Sequence, residues 1–286
     1  MNILLTGAGG PAGQALLSQL LELDRHQVIG VDISPVNHPA LSHSEIVARA
    51  DDPLMIEQLS DLIRRHDIDL LIPTVQEELP LIAAARSRLF PARVLVGKES
   101  AVRDAADKYL TMLVLDQAGV SVPRFSRPEN HASVDTLRAA VGDHVIIKPR
   151  NGRGSRGVRE LHLDAVGEQW DVDKHMIVQE FAPGKEYAPM VFMGAEPWAV
   201  VAAKRSDSDY RAVQVERVDA PDVAHLAIDA ARALRLRGPV DVDVRRLADG
   251  RPVVLEVNAR FGANSYLAPE LLSSVLTHVE EHWEVP

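Results

Sequence analysis

Residues 145–158 read V-I-I-K-P-R-N-G-R-G-S-R-G-V, and this stretch is the strongest indication of the fold in the chain. An apolar run ends in Lys148-Pro149, and glycines then alternate with basic or hydroxyl side chains: Gly152, Arg153, Gly154, Ser155, Arg156 and Gly157. This pattern predicts two β-strands joined by a flexible cationic loop. Glycine-rich backbone can turn its N–H groups around an anion, and the basic side chains add donors for phosphate oxygens. We expect a bound polyphosphate here; a solvated basic hairpin is the alternative.

Composition limits the classes of partner. The chain has 286 residues, 46% of them hydrophobic and 25% charged, which is typical of a globular protein with two or three lobes. A net charge of −10 argues against a nucleic-acid or membrane surface and favours small-molecule partners. The absence of cysteine excludes disulfides and thiolate chemistry. The N-terminus enters a strand without a signal-like segment, so we expect a cytoplasmic protein.

The first 97 residues alternate strand and helix signals, which predicts a parallel sheet. Gly7, Gly10 and Gly13 follow the first strand, and Asp32 ends the second, as in dinucleotide-binding folds. An NAD(P)-binding site is therefore a rival hypothesis. The structural alternative is that a doubly wound sheet needs a tight first turn whether or not a cofactor lies there.

A carboxylate cluster is predicted near the C-terminal end. Two alternating apolar runs, 240–244 and 253–257, flank Asp249-Gly250, a signal for a two-residue hairpin turn. That turn would pair Asp243 with Glu256 and Asp241 with Asn258, all on one face, with the valines and Leu255 on the other.

Two carboxylates opposite each other on a ladder repel, so a compensating charge is needed. Asp243, Glu256 and the Asn258 carbonyl oxygen are hard oxygen ligands suited to Mg²⁺, which also bridges phosphates. The alternative is a solvated acidic face paired with Arg260 or Arg245.

Four motifs in order make the chain resemble the ATP-grasp superfamily, and most closely its carbamoyl-phosphate-synthase-like carboxylate-amine ligases. The motifs are Asp107-Lys108, the stretch 146–158, the strand-bend-strand 178–186 with Pro183-Gly184, and L-E-V-N-A-R-F-G at 255–262. The resemblance covers nearly the whole chain.

The resemblance implies an architecture of α/β and α+β lobes. Residues 1–97 would form a Rossmann-like pre-ATP-grasp domain on the substrate side of the cleft, with Thr74, Glu77 and Glu78 facing it. Residues 98–187 would form the small ATP-grasp lobe, and residues 188–286 the large lobe with the metal site. A homo-oligomer or a partner subunit that completes the substrate pocket is left open.

The resemblance also implies roles for individual residues. ATP and Mg²⁺, as two ions for which Mn²⁺ can substitute, would be the cofactors. Catalysis would rest on Lys148, Lys108 and Arg260, and the metal on Asp243, Glu256 and Asn258. The remaining nucleotide contacts would come from the loop, the hinge and a ribose-binding acid: Gly154, Ser155, Arg156, Gly157, Gln179, Glu180, Phe181, Ala182 and Glu186.

Three functions are compatible with these motifs. The first is an ADP-forming ligase that activates a small-molecule carboxylate as an acyl phosphate for attack by an amine or similar nucleophile. The second is an NAD(P)-dependent oxidoreductase, and the third is a Mg-ATP-binding module without catalysis. The oxidoreductase hypothesis leaves the second half of the chain unexplained.

Histidines give a weak signal. The run from His278 to His282 fits the H-x-x-E-H pattern of some zinc proteases, but we interpret it as an exposed helix end. The other histidines are scattered, and their spacing predicts no metal site.

Overall fold

The computed structural model describes residues 1–38, 41, 43–152, 154–165, 173–205 and 214–282. The sequence predicts a polar loop over 204–211 and a helix over 268–283; Arg153, residues 206–211 and Trp283 lie outside the described residues. Three sheets occupy successive stretches of chain, with strands spanning residues 2–94, 125–180 and 186–258. The predicted boundaries at 97 and 187 remain predictions. No helix among the described residues is long and apolar enough to cross a bilayer.

The first sheet is parallel, in the order β3-β2-β1-β4-β5. Its strands are β1 (Asn2–Thr6), β2 (Gln27–Asp32), β3 (Ser44–Ile46), β4 (Leu70–Ile72) and β5 (Arg93–Val94). The helices are α1 (Pro11–Glu22), α2 (Leu54–Arg65) and α3 (Leu79–Ala84).

The sequence predicts one helix over residues 77–88, but this stretch is divided into short pieces, since α3 is flanked by 3₁₀ turns at Gln76–Glu78 and Arg86–Leu89. Pro80 in the first turn of α3 has no N–H to donate, so α3 begins at Leu79.

Two helices lead from the first sheet to the second: α4 (Glu99–Ala106) and α5 (Lys108–Gln117). The sequence predicts one helical region from 99 to 118, but Asp107 is extended and divides it. Its carboxylate caps α5 by accepting from the backbone N–H of Tyr109 at 2.9 Å and of Leu110 at 3.3 Å.

The second sheet is antiparallel, in the order β6-β9-β7-β8. Its strands are β6 (Phe125–Ser126), β7 (His144–Pro149), β8 (Arg159–His162) and β9 (Met176–Glu180). Helix α6 (Val134–Val141) begins at a Ser133 capping box and packs its apolar side on the sheet. This unit has its own small core: Val134, Leu137, Val141, Val145, Ile147, Leu163 and Val178.

The third sheet is antiparallel, in the order β12-β11-β10-β13-β14. Its strands are β10 (Glu186–Met193), β11 (Trp198–Arg205), β12 (Gln214–Arg217), β13 (Gly238–Arg246) and β14 (Pro252–Asn258). Helix α7 (Pro221–Ala233) shares a core with Val191, whereas α8 (Pro269–His282) shares one with Met190. Because neighbouring strand residues point to opposite faces, the two helices cover the two sides of the sheet.

Candidate active site

The β13–β14 hairpin places the acidic residues as the sequence predicts. Asp243 lies opposite Glu256, and Asp241 lies opposite Asn258. The predicted two-residue turn is wrong, however. The Leu247 carbonyl accepts from Gly250 N–H at 3.0 Å, and Leu247 N–H donates to the Arg251 carbonyl at 2.9 Å, so residues 248–250 form a three-residue loop. Gly250 takes the left-handed conformation with φ +85° that this loop requires.

A β-bulge restores the register at the site. Val244 pairs with Val254 while Asp243 pairs with Glu256, so Leu255 is an extra residue on β14. Its carbonyl accepts a hydrogen bond from Lys148 Nζ at 3.0 Å. Leu255 also lines the cleft beside Glu256, so its predicted place on the opposite face is wrong. The bulge thereby links the acidic hairpin to the strand that precedes the glycine loop.

Asp107 positions Lys108. Besides capping α5, the Asp107 carboxylate takes a bidentate contact from Arg150, with Nε at 3.1 Å and Nη2 at 2.5 Å. The backbone N–H of Lys108 donates to the Arg150 carbonyl at 2.9 Å. Because of these contacts, Lys108 Nζ lies 2.8 Å from the Gly152 carbonyl and 3.3 Å from Glu256 Oε1.

One cleft of about 310 Å³ lies between the two hairpins. Its lining includes three predicted phosphate-binding cations, the two acids predicted to bind the metal and the predicted ribose acid: Lys108, Lys148, Arg156, Asp243, Glu256 and Glu186. Ser155 also lines it, with a positive φ of +56°. Gly154 and Gly157, at φ +64° and +73°, are not among the lining residues.

Burial changes the charges in this cleft. The pKa of Lys148 is lowered to about 8, chiefly by burial and also by the Lys108 charge, against the opposing charges of Glu256 and Asp243. Burial, together with the charges of Asp241 and Glu256, raises the pKa of Asp243 to about 7. Burial likewise raises the pKa of Asp241, although the Arg260 charge opposes that shift. The site therefore holds carboxylates that lack full compensation.

Arg260 and Asn258 lie beside the cleft, on the ends of the same hairpin. Arg260 Nη1 donates to Asp241 Oδ2 at 3.1 Å and to the Phe261 carbonyl at 2.7 Å. A Cβ at Gly262 would overlap the Asp241 carboxylate, so glycine is needed there. Asn258 is 3% exposed, and its Oδ1 is buried without a hydrogen-bond partner.

These oxygens fit a divalent cation. Asn258 Oδ1 is an unsatisfied acceptor, and the pKa of Asp243 is raised by burial first and then by the charges of Asp241 and Glu256. Carboxylate and amide oxygens form the donor set that Mg²⁺ prefers.

The predicted adenine-binding hinge lies next to the cleft but does not line it. Gln179, paired with the lining residue Ile146, is buried with its Nε2 unpartnered. The Glu180 carboxylate takes Arg124 Nε and Nη2, each at 3.1 Å. The Phe181 ring stacks on His144 with centroids 4.0 Å apart, and the Ala182 carbonyl accepts from Arg245 Nη1 at 3.2 Å.

The sequence indicates Lys204 as a possible contact of a substrate carboxylate or phosphate and Arg245 as a partner of the acidic face, but it does not place either cation at the ribose acid. Glu186 pairs with Lys204, and Arg245 Nε lies 3.3 Å from its other oxygen. Both cations line the cleft. The pairing of β10 with β13, which sets Glu186 opposite Arg245, could not be derived from a local pattern, because these residues lie 59 positions apart in the sequence.

The glycine turn of the first lobe is explained by close packing. A Cβ at Gly13 would overlap the Gly7 carbonyl oxygen, and Gly7 itself has φ +59°. The Asp32 carboxylate accepts from Gly9 N–H at 2.9 Å and from Ile33 N–H at 2.7 Å, so it caps the turn. Glu78 is buried, accepts from Thr6 Oγ1 at 2.5 Å and does not line the nucleotide cleft, so its place on the substrate side stays a prediction.

A cleft with lysines from β7 and α5 on one side and hairpin carboxylates on the other defines a class of proteins that bind a phosphate chain together with a cation. Comparison with known proteins identifies the family. A family model described as the ATP-grasp domain matches residues 105–264. The chain belongs to the ATP-grasp family.

Relatives and solved structures agree with this assignment. A D-alanine–D-alanine ligase of Levilactobacillus brevis is 25% identical, over 80% of this chain and 68% of that protein. One of Cupriavidus metallidurans is 25% identical, over 99% and 94%. The crystal structure of an L-amino acid ligase from Bacillus licheniformis shares the fold, with a TM-score of 0.74 and 17% identity over 99% of this chain and 75% of that one.

The predicted family, the mixed α/β and α+β fold class and the prediction of an ATP-grasp ligase are thereby confirmed. The roles of the individual site residues stay predictions.

Proposed function

We propose that the chain binds Mg-ATP in the cleft between the two hairpins and uses it to join a small-molecule carboxylate to an amine. A carboxylate oxygen would attack the γ-phosphorus, ADP would leave, and the amine would then displace phosphate from the acyl phosphate. One observation carries the proposal. Lys148 Nζ lies 3.0 Å from the Leu255 carbonyl oxygen, and Lys108 Nζ lies 3.3 Å from Glu256 Oε1. Both hairpins therefore contribute to a single charged cavity.

The cations would act by neutralising phosphate charge. Lys148 and Lys108 project into the cleft from different elements, β7 and α5, and could hold adjoining phosphate groups. The N–H groups between Gly154 and Gly157 would cover the phosphates, with Ser155 and Arg156 reaching the cleft. Catalysis would come from positioning and electrostatics, without a protein nucleophile.

Asp243, Glu256 and Asn258 would hold Mg²⁺, or Mn²⁺ in its place, at one or two positions. A bound divalent cation supplies charge neutralisation and orientation of the phosphate oxygens. Glu256 lies 3.3 Å from Lys108, so this ligand is next to a phosphate-binding side chain, and Asn258 Oδ1 is an acceptor without a hydrogen-bond partner.

Three further assignments belong to the proposal. Gln179 to Ala182 would hold adenine, chiefly through backbone groups, because the Glu180 side chain is already bound by Arg124. Glu186 would take the ribose hydroxyls in competition with Lys204 and Arg245. Arg260, 12% exposed, would neutralise charge on the γ-phosphate or acyl phosphate.

The names of the relatives suggest amino acids as the substrate class. Two relatives are named D-alanine–D-alanine ligases, and the structural neighbour is an L-amino acid ligase. We propose that the acid and the amine are both amino acids or close analogues.

The test is ADP formation from Mg-ATP across D- and L-amino acids, alone and in pairs. We expect turnover with at least one pair, and a loss of 100-fold or more in Glu256→Gln, which keeps the side chain's shape but removes its charge. Asp249→Asn, at the exposed far end of the same hairpin, is the matched control and should retain activity. Full activity in Glu256→Gln would defeat the assignment. Tight Mg-ATP binding without ADP formation for any pair would favour the non-catalytic module.

A further inference from the structure

A second group of metal-ligand side chains lies in the first lobe, in elements separate from the nucleotide cleft. It consists of His43, Glu45 and His66, whose ligand atoms all lie within 4.8 Å of one another. His43 Nε2 lies 3.1 Å from Glu45 Oε1, and His66 Nε2 lies 3.4 Å from the same oxygen. We propose that these three residues bind a zinc-class divalent cation.

Two structural elements bring the ligands together. His43 and Glu45 are two positions apart at edge strand β3, so their side chains leave the same face. His66 follows α2 directly, and α2 is anchored in the core by Leu59, Leu62 and Ile63, each at most 1% exposed. The Asn2 side chain donates to the His66 carbonyl at 3.1 Å and holds this corner in place. The site would therefore tie the edge of the sheet to the end of a buried helix.

The distances suit a tetrahedral ion. Ligands at about 2.0–2.1 Å from zinc lie roughly 3.3 Å from each other, close to the two measured separations. The His43 and His66 rings are tilted by 50° with centroids 4.8 Å apart, so both can turn a nitrogen toward one point. Two imidazoles and one carboxylate form a three-ligand zinc set with an open fourth position.

Hydrogen bonding alone accounts poorly for the cluster. Glu45 Oε1 already accepts from Arg65 Nη1 at 2.9 Å. The two histidine nitrogens also lie against this oxygen, which makes three potential donors in total. A carboxylate oxygen has two lone-pair sites, so three donors exceed its capacity. A metal ion would accept the histidine lone pairs instead.

Neighbouring groups hold the ligands in place. Arg65 binds both Glu45 oxygens at 2.9 Å and fixes the orientation of the carboxylate. His66 also lies at the C-terminal end of α2, where the helix dipole favours positive charge. Imidazole ligands favour zinc over magnesium, which separates this site from the nucleotide cleft.

The experiment is a Co²⁺ titration of the metal-stripped full chain, followed by displacement with Zn²⁺. Excess Mg²⁺ is present throughout to occupy the carboxylates of the nucleotide cleft. We expect one equivalent of Co²⁺ with the intense visible absorption of tetrahedral coordination. His43→Gln and His66→Gln should each weaken binding at least 30-fold, whereas His175→Gln, an exposed histidine near β9, should leave it unchanged.

Two further measurements keep the outcome clear. Unchanged thermal midpoints of the variants in EDTA show that they fold, and Glu45→Gln provides a second ligand substitution. Amino-acid-dependent ADP formation should be unaffected by His43→Gln, so failure of this inference is distinguishable from failure of the ligase proposal. A titration in which His66→Gln binds as tightly as the parent, or in which Co²⁺ stays octahedral, overturns the metal site.

Discussion

At the scale of single residues, the site holds charges in places that are unfavourable for stability. Lys148 is 6% exposed, and burial brings its pKa down to about 8. Asp243, on the opposing hairpin, has its pKa raised to about 7 by burial and by its acidic neighbours. Strongly perturbed pKa values of this kind cluster at sites that bind or transform charged ligands. The free protein should therefore become more stable when one of these charges is removed.

Asp243→Asn tests this at the residue scale. A pKa of Asp243 raised from 3.8 to about 7 means that the folded state binds this proton more tightly than the unfolded state does. The protonated side chain therefore contributes its full stabilisation below pH 4, and this contribution is lost as the pH rises through 7. The full shift corresponds to about 4 kcal/mol, and roughly half is expected here because Asp241 and Glu256 share the proton. In metal-free urea unfolding, we expect the variant to exceed the parent by ~2 kcal/mol at pH 8 and to show little gain at pH 4.

Asp249→Asn serves as the control, since this acid lies exposed in the loop of the same hairpin. Its stability relative to the parent should not change between pH 4 and pH 8. A constant advantage of Asp243→Asn across that range would mean that the gain comes from packing and not from the displaced proton.

At the scale of elements, the acidic hairpin shows how far local pattern extends. The opposition of Asp243 to Glu256 follows from the sequence, yet it is reached through an incorrect turn. The actual three-residue loop shifts the register by one position, and the bulge at Leu255 shifts it back. A bulge depends on what contacts the strand, here Lys148 from another sheet, so hairpin periodicity alone does not reveal it.

Short edge strands were missed for a similar reason. Strands β3, β6 and β12 contain between two and four residues each, too few to show an alternating pattern. The metal-ligand group beside β3 depends on one of them. By contrast, the helix predicted for residues 54–65 matches α2, because its buried face follows a clear period, and the strand predicted for residues 70–72 matches β4, because its three apolar residues are all buried.

The glycine turn after β1 gives a prediction at the element scale. Gly13→Ala should lower the free energy of unfolding by about 3 kcal/mol, because the added Cβ would overlap backbone atoms of Gly7 and Ala8, which cannot easily move. Urea unfolding at neutral pH measures the change. Gly10→Ala is the control in the same turn; its Cβ would meet only the Gly7 carbonyl, at 3.3 Å, and the cost should stay below about 1 kcal/mol. Equal stability of Gly13→Ala and the parent would show that the turn is not closely packed.

At the scale of the molecule, the second sheet shares less of its core with the other two; Ile177 of β9 lies in a cluster that the first and third sheets also supply. The first and third sheets share two large apolar clusters; α1, for example, packs with α8 through Leu16, Leu20 and Leu272. The second sheet has a small cluster of its own and carries the glycine loop. Contacts of Lys148 and Lys108 with the β13–β14 hairpin therefore cross between units, an arrangement that no single motif could predict. A ligand in the cleft should couple these units.

Mg-ATP should therefore stabilise the whole chain and protect both hairpins together. At 100 times its Kd, a ligand of the folded state adds about 2.7 kcal/mol, which for a chain of this size raises Tm by roughly 5 °C or more. We expect this shift with Mg-ATP and a much smaller one in Glu256→Gln, because the neutral amide removes one cation ligand.

Hydrogen exchange should slow in residues 145–162 and 240–258 at the same ATP concentration, since each hairpin supplies one side of the site. NAD⁺ and NADH should leave Tm unchanged, because the Gly7–Gly13 turn is closely packed and capped by Asp32. Protection confined to one hairpin would refute the shared site, and a shift with NADH alone would restore the oxidoreductase hypothesis.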